Sequence, residues 1–131
     1  MQDFSLPYES DDGTLTPEHP VYRSSLLAKE DAQAGGRPMS LAPEYKHFLT
    51  RAGFVDVVER RFKWPINTWP KDPYYKQIGA WVQENPDGGA EGLFMALFTR
   101  FLGWSREDVL MFCAEVRESI KDRRVHAYVP M

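Results

Sequence analysis

The sequence predicts an α/β fold with about five helices and two to three strands. Two observations carry that prediction. Residues 40–63 read as one helix, one glycine stop and one strand, while residues 72–121 read as a run of amphipathic helices. The chain ends in Val125-His126-Ala127-Tyr128-Val129, a short β-branched and aromatic run.

The first unit sets the class. Ser40 is placed as an N-cap and Pro43 falls in the first turn, where its missing N–H is no loss. Leu41, Tyr45, Phe48, Leu49 and Ala52 recur at helical spacing, and Gly53 stands where a left-handed C′ residue is wanted. Phe54-Val55-Asp56-Val57-Val58 follows at once. Its valines occupy both alternating sets, so a strand covered on both faces is expected.

The other elements are read in order. Residues 1–8 alternate loosely, as at the end of a strand, and Glu9 to Thr14 is a polar turn. Thr16-Pro17 opens a helix that reaches Ala34, where Gly35-Gly36 stops it. Two Trp-Pro pairs make residues 64–71 an extended connection. Asp72-Pro73 opens a helix with Tyr74, Tyr75, Ile78, Trp81 and Val82 on one face. A strongly apolar helix through Leu93 to Leu102 is stopped by Gly103. Ser105 and Asp108 form a capping-box variant before the last helix, whose apolar face is Val109, Leu110, Phe112, Cys113, Val116 and Ile120. The chain is thus read as one partial domain: strand end and cap helix over 1–40, helix–strand unit over 41–63, helical insert over 64–121, and a shortened last strand over 122–131.

Composition excludes several functions. Aromatics at 14% and hydrophobic residues at 43% exclude disorder. A net charge of −3 argues against a nucleic-acid footprint. Mean hydropathy of −0.49 and the lack of a long apolar run argue against a membrane span. The single cysteine, Cys113, excludes an intrachain disulfide framework and reads as a buried hydrophobe. Met1 leads into polar residues with no signal peptide, so an intracellular location, cytoplasmic or nuclear, is expected.

Motifs for chemistry are sparse. His19, His47 and His126 lie far apart in sequence and read as surface or packing residues, so no metal site is expected. Asp11-Asp12 reads as a turn pair. Asp87 to Gly92 is glycine-rich, but a helix precedes it rather than the strand a nucleotide loop needs. Trp64, Trp69, Tyr74 and Tyr75, linked by prolines, are candidates to line an apolar pocket for a small hydrophobic molecule, or to pack the helices onto the sheet.

Several stretches taken together carry a resemblance. Asp11-Asp12-Gly13-Thr14, Gly36-Arg37-Pro38, Ala42-Pro43-Glu44-Tyr45-Lys46, Ala52-Gly53-Phe54-Val55-Asp56-Val57, Trp69-Pro70-Lys71-Asp72, Ala96 to Ser105 and His126-Ala127-Tyr128 occur in register. Their order resembles the C-terminal part of the LaeA-like fungal methyltransferases, S-adenosylmethionine-dependent enzymes of the class I, Rossmann-like type. The resemblance implies that residues 1–6 end the family's fifth strand, that 54–63 form its sixth and that 125–131 begin its seventh. It also implies that the first four strands, with the glycine-rich donor loop and the ribose-binding acidic residue, lie outside these residues. The expected function is that of a C-terminal methyltransferase portion tied to fungal secondary metabolism. It is expected to be truncated and catalytically silent alone, with no cofactor bound by this chain. One alternative is an interaction protein whose open sheet edges are completed by a second copy or another chain. A second is a non-methylating, cyclase-like tailoring enzyme acting on a hydrophobic metabolite. The resemblance assigns no catalytic residue. For a substrate it implies Tyr8, Asp11, Asp12 and Trp69, because the loop after the fifth strand commonly faces the substrate. The aromatic candidates Trp64 and Tyr75 complete the set.

Overall fold

The computed structural model describes residues 1–85, 89 and 91–131. Its elements, in order, are α1 (Pro20–Ala34), a 3-10 turn (Ala42–Glu44), α2 (Tyr45–Arg51), β1 (Lys63–Pro65), α3 (Pro73–Asn85), α4 (Glu91–Phe101), α5 (Arg106–Ser119) and β2 (Tyr128–Pro130). Among the described residues the fold is α/β, with five α-helices and a two-stranded sheet.

β1 and β2 pair antiparallel, with Lys63 opposite Pro130, Trp64 opposite Val129 and Pro65 opposite Tyr128. Phe62 and Met131 exchange two further backbone bonds of 2.8 Å. A third segment lies on the other side of β2. The Ser5 N–H donates to Pro130 O at 2.9 Å, and Glu9 and Tyr128 exchange bonds of 3.0 and 2.9 Å. β2 is therefore central, flanked by residues 5–9 and by β1. Of the three pieces that the sequence offered as strands, the first and last lie side by side, while the middle one joins only through Phe62 and Lys63 at its end.

The outer edge of residues 5–9 is not left bare. The Ser40 hydroxyl accepts from Leu6 N–H at 2.9 Å and lies 3.2 Å from Leu6 O, to which it donates. The Ser25 hydroxyl accepts from Tyr8 N–H at 3.1 Å and donates to Tyr22 O at 2.8 Å. Ser40 is thus a ladder substitute rather than the helix cap its sequence position suggested. The turn it precedes has Leu41 at its N-cap and no side-chain cap.

The core lies between the helices and the ladder. Val21 of α1, Ile66, Phe98 of α4, and Val109, Phe112, Cys113 and Val116 of α5 meet Ile120, Val125, Ala127 and Val129. Each large side chain sealed there contributes about 1.5–3 kcal/mol. Aromatic contacts order the centre: Phe94 stacks on Phe98 at 5.1 Å, and Trp104 stands edge-on to Phe112 at 5.4 Å. The capping box forms as read, with Asp108 N–H donating to Ser105 Oγ and Ser105 N–H donating to Asp108. Gly53 and Gly103 take the positive φ values of 95° and 67° that follow a helix end.

Several expectations are corrected. Residues 54–62 do not form a strand covered on both faces: Val55 is 84% and Val58 77% exposed, and pairing begins only at Phe62. A strand needs a partner, and among the described residues none pairs with residues 54–61. The helix of the same unit is shorter than read, and its intended stripe is partly bare, with Leu41 and Phe48 exposed. The first helix begins at Pro20, not Pro17, because the His19 ring accepts from Val21 N–H and caps it. On α3 the aromatic face is solvent-facing at Tyr74, Tyr75 and Trp81, while Gly79 is buried against Asn67. Leu110 of α5 is also exposed. Half of the glycine-rich run at 87–92 falls outside the described residues.

Candidate functional site

The polar turn after residues 5–9 and the last strand meet at one place. Pro7, Tyr8, Glu9, Ser10, Asp11, Leu15, Tyr22 and Tyr128 line an open cleft of about 360 Å³. That is at the small end of ligand-site volumes. Residues 7–11 are held there by the Glu9–Tyr128 bridge and by Ser25. Tyr22 arrives on α1, and Tyr128 on β2.

One hydrogen-bonded chain runs along the cleft. The Tyr128 hydroxyl donates to Asp11 Oδ1 at 2.8 Å, with Glu9 Oε2 3.2 Å away. Lys63 Nζ donates to Asp11 Oδ2 at 2.6 Å and lies 4.8 Å over the Tyr128 ring. Lys63, then Tyr128, hold the Asp11 carboxyl below the usual carboxylate range. Burial, then the bond to Asp11, pushes Tyr128 up to about 12. Asp11 in turn raises Lys63. Burial also raises the Tyr8 phenol. At neutral pH the cleft therefore presents the ionised Asp11 carboxylate, the Lys63 cation bound to it and the neutral phenols of Tyr8 and Tyr128.

A second cluster shares the same turn. Asp12 Oδ1 accepts from the hydroxyls of Ser10 and Thr14, both at 2.7 Å, and from Thr14 N–H at 3.1 Å. Asp12 Oδ2 lies 2.5 Å from His126 Nδ1. These donors, Ser10 and Thr14 first and His126 after them, hold Asp12 well below the usual carboxylate range. His126 N–H donates to Thr14 Oγ1 at 2.8 Å. The His126 ring lies against Trp69, with centroids 4.8 Å apart, and Trp69 Nε1–H donates to Ala127 O at 3.0 Å.

The candidate residues therefore divide. Tyr8 and Asp11 line the cleft, and Asp12 and Trp69 join the adjoining cluster through His126. Trp64 is half-buried in β1 and packs against the core. Tyr75 stands on α3, exposed, with Tyr74 as its ring neighbour at 5.4 Å. None of Trp64, Trp69, Tyr74 and Tyr75 lines the cleft, and Trp64 serves packing. Glu9, Lys63, His126 and Tyr128 belong to the site and were not singled out. The signal available was the alternation of His126 and Tyr128 on an extended run, which puts both on one side. Among the described residues, no group of three or more His, Cys, Asp and Glu side chains is arranged to hold a metal ion, and no helix is long and apolar enough to cross a membrane.

Comparison with known proteins gives the site its context. No family model matches the chain, and no solved structure matches it. Curated proteins do. The chain is 34% identical over 131 residues to the "Probable methyltransferase tdiE" of Emericella nidulans, covering 100% of this chain and 41% of that protein. It is 36% identical over 118 residues to the "Methyltransferase pytC" of Aspergillus terreus, covering 90% of this chain and 36% of that protein. It is 33% identical over 119 residues to the "Secondary metabolism regulator LAE1" of Cochliobolus heterostrophus, covering 90% of this chain and 39% of that protein. The chain spans about two fifths of the length of these relatives. Matched over 90–100% of its length to these relatives, the chain is similar to the C-terminal part of the LaeA-like methyltransferases.

Proposed function

We propose that this chain is the acceptor-side portion of an S-adenosylmethionine-dependent methyltransferase-family protein of fungal secondary metabolism, with a Rossmann-like origin and no transferase activity alone. The observation that carries the reading is the match of all 131 residues to a methyltransferase-named relative of which they span 41%. The geometry supports it. Residues 5–9, 62–65 and 128–131 form one ladder with the last in the middle, and the cleft lies at its polar end. The described residues do not fit the methyl donor. The cleft is small and open, Asp11 is already bonded to Lys63 and Tyr128, and Tyr128 also bridges to Glu9. No step through the donor is therefore assigned to this chain. Titration calorimetry of the purified chain with S-adenosylmethionine is expected to show no micromolar binding; a saturable micromolar isotherm would overturn the inactivity.

A second reading, an interaction protein, is favoured by one observation. Phe54, Val55, Val58 and Phe62 are 61%, 84%, 77% and 52% exposed within nine residues of chain. An apolar run of that density marks a contact surface. On this reading a second copy or another chain of the family covers it. Light scattering after size exclusion checks it: a mass above that of one chain is expected, and a clean monomer counts against it.

A further inference from the structure

The cleft holds one carboxyl group that no cation answers. Glu9 and Asp11 both line it, and both reach the Tyr128 hydroxyl, Asp11 through Oδ1 at 2.8 Å and Glu9 through Oε2 at 3.2 Å. A phenol has one proton to donate. It goes to the nearer oxygen, that of Asp11, so Glu9 Oε2 faces the phenol oxygen with no proton between them. Asp11 has a cation as well, Lys63 Nζ at 2.6 Å from its Oδ2. Among the described residues Glu9 forms no ion pair, and none of the residues lining the cleft is cationic.

The rest of the lining suits a cation. Tyr8, Tyr22 and Tyr128 all belong to it, and the face of a tyrosine ring attracts an ammonium group. Burial raises the Tyr8 phenol, whose hydroxyl has no hydrogen-bond partner among the described residues. Asp31 Oδ2 is the one side-chain atom among those residues that is both sealed and unpartnered, so the Tyr8 hydroxyl opens onto reachable space, and the cleft is the space that Tyr8 lines. The chain itself shows the pairing such groups favour. Lys63 comes from β1, outside the lining, and its ammonium rests on Asp11 and 4.8 Å over the Tyr128 ring. Glu9, Tyr8 and Tyr22 offer the same kinds of group with no cation among them. An anion would meet the Asp11 charge and the Glu9 carboxyl together, and a neutral ligand would leave Glu9 unanswered.

We propose that the cleft binds the ammonium group of a small arylalkyl amine, with Glu9 as its counter-ion and the three tyrosines as its walls. The inference rests on the acceptor-side reading above and names the class of ligand. The ammonium donates to Glu9 and to the Tyr128 oxygen, whose own proton is committed to Asp11. Pro7 and Leu15 supply apolar surface for the carbon skeleton. Lys63 is the rival cation, because it draws on Asp11 and Tyr128 from outside the lining.

The test uses three probes that share a skeleton and differ in charge: phenethylammonium, neutral phenethyl alcohol and anionic phenylacetate. Each is titrated into the purified, nitrogen-15-labelled chain while amide shifts are followed. Saturable shifts at Tyr8 to Asp11 and at Tyr128 are expected with the ammonium, binding severalfold weaker with the alcohol, and none with the anion. Glu9→Gln keeps the backbone bridge to Tyr128 and should weaken the ammonium about tenfold, the worth of one hydrogen bond to a charged group. Lys63→Met removes the rival cation and should tighten it severalfold. Glu107→Gln makes the same change of charge at an exposed site on α5 and should leave the affinity as it is. The same spectra report whether each variant is folded. Equal affinity for the ammonium and the alcohol, an unchanged affinity in folded Glu9→Gln, weaker binding in folded Lys63→Met, or no saturable shift in the wild type would each overturn the proposal. A saturable donor isotherm in the calorimetry above would instead overturn the inactive-alone reading and leave a positive amine result standing.

Discussion

Gly79→Ala sets two forces of opposite sign against each other. Within a helix interior alanine is better than glycine by about 1 kcal/mol, so propensity alone predicts a more stable protein. Packing predicts the reverse. A Cβ at Gly79 would stand 1.9 Å from Asn67 O and 2.7 Å from Asn67 C, both backbone atoms. Either α3 or the Asn67 backbone would have to withdraw by about 1.5 Å to reach ordinary contact at 3.4 Å. Asn67 is fully buried, and its side chain donates to Ile120 O at 2.8 Å and to Asp122 O at 3.2 Å while accepting from Trp69 N–H at 2.8 Å. Forcing an extra methyl into a filled site costs about 1–3 kcal/mol, and each strained hydrogen bond adds about 1 kcal/mol. A net loss of about 2–4 kcal/mol is expected once the propensity gain of about 1 kcal/mol is subtracted. Urea unfolding followed by tryptophan fluorescence measures it. Gly92→Ala is the control, since nothing lies within 4 Å of its Cβ position on α4, and it should be neutral or stabilising. A Gly79→Ala midpoint equal to or above the wild type would refute the packing of α3 on the segment after β1.

Three further outcomes follow from the same geometry. Ser40→Ala leaves Leu6 N–H, on a residue only 8% exposed, without its acceptor. A loss of about 1–3 kcal/mol is expected, with faster amide exchange at Leu6; unchanged exchange would show that Ser40 is not closing that edge. Tyr128 has its folded value raised from 10.0 to about 12, so its contribution is complete below pH 10 and is lost as pH rises toward 12. Thermal melts across that range should fall for the wild type and be flatter for Tyr128→Phe. Asp31 is 4% exposed, its Oδ2 has no partner among the described residues, and burial followed by Glu30 raises its carboxyl. Its charge therefore opposes folding at neutral pH, and Asp31→Asn should raise the melting temperature there, with the gain shrinking as pH falls and the native carboxyl takes up its proton.

The helices were legible because their signals are local. Ser105 with Asp108, the stop at Gly103 and the apolar spacing on α5 need no knowledge of what lies elsewhere in the chain. The sheet was only half legible. Valine at positions 55, 57 and 58 reports a preference for a pleated, covered surface, not the presence of a partner. The ladder begins later, where Met131 supplies one for Phe62. The candidate site was partly legible for a similar reason. Tyr8, Asp11 and Asp12 sit in one turn and were picked out together, but His126 is 114 residues from Asp12 and nothing near it in sequence signals the meeting. Tyr75 was misjudged as a pocket companion because helical spacing shows that a face is apolar, not what covers it.

The middle position of β2 has a consequence for how the chain acquires its shape. The strand that joins residues 5–9 to β1 is made after both of them, and the Glu9–Tyr128 pairing spans 119 residues. Neither flank can find its neighbour until residues 128–130 have left the ribosome, so helices α1 to α5 must wait beside an unfinished sheet. A nascent chain stalled before residue 125 would expose the whole apolar floor beneath them and become a client for chaperones.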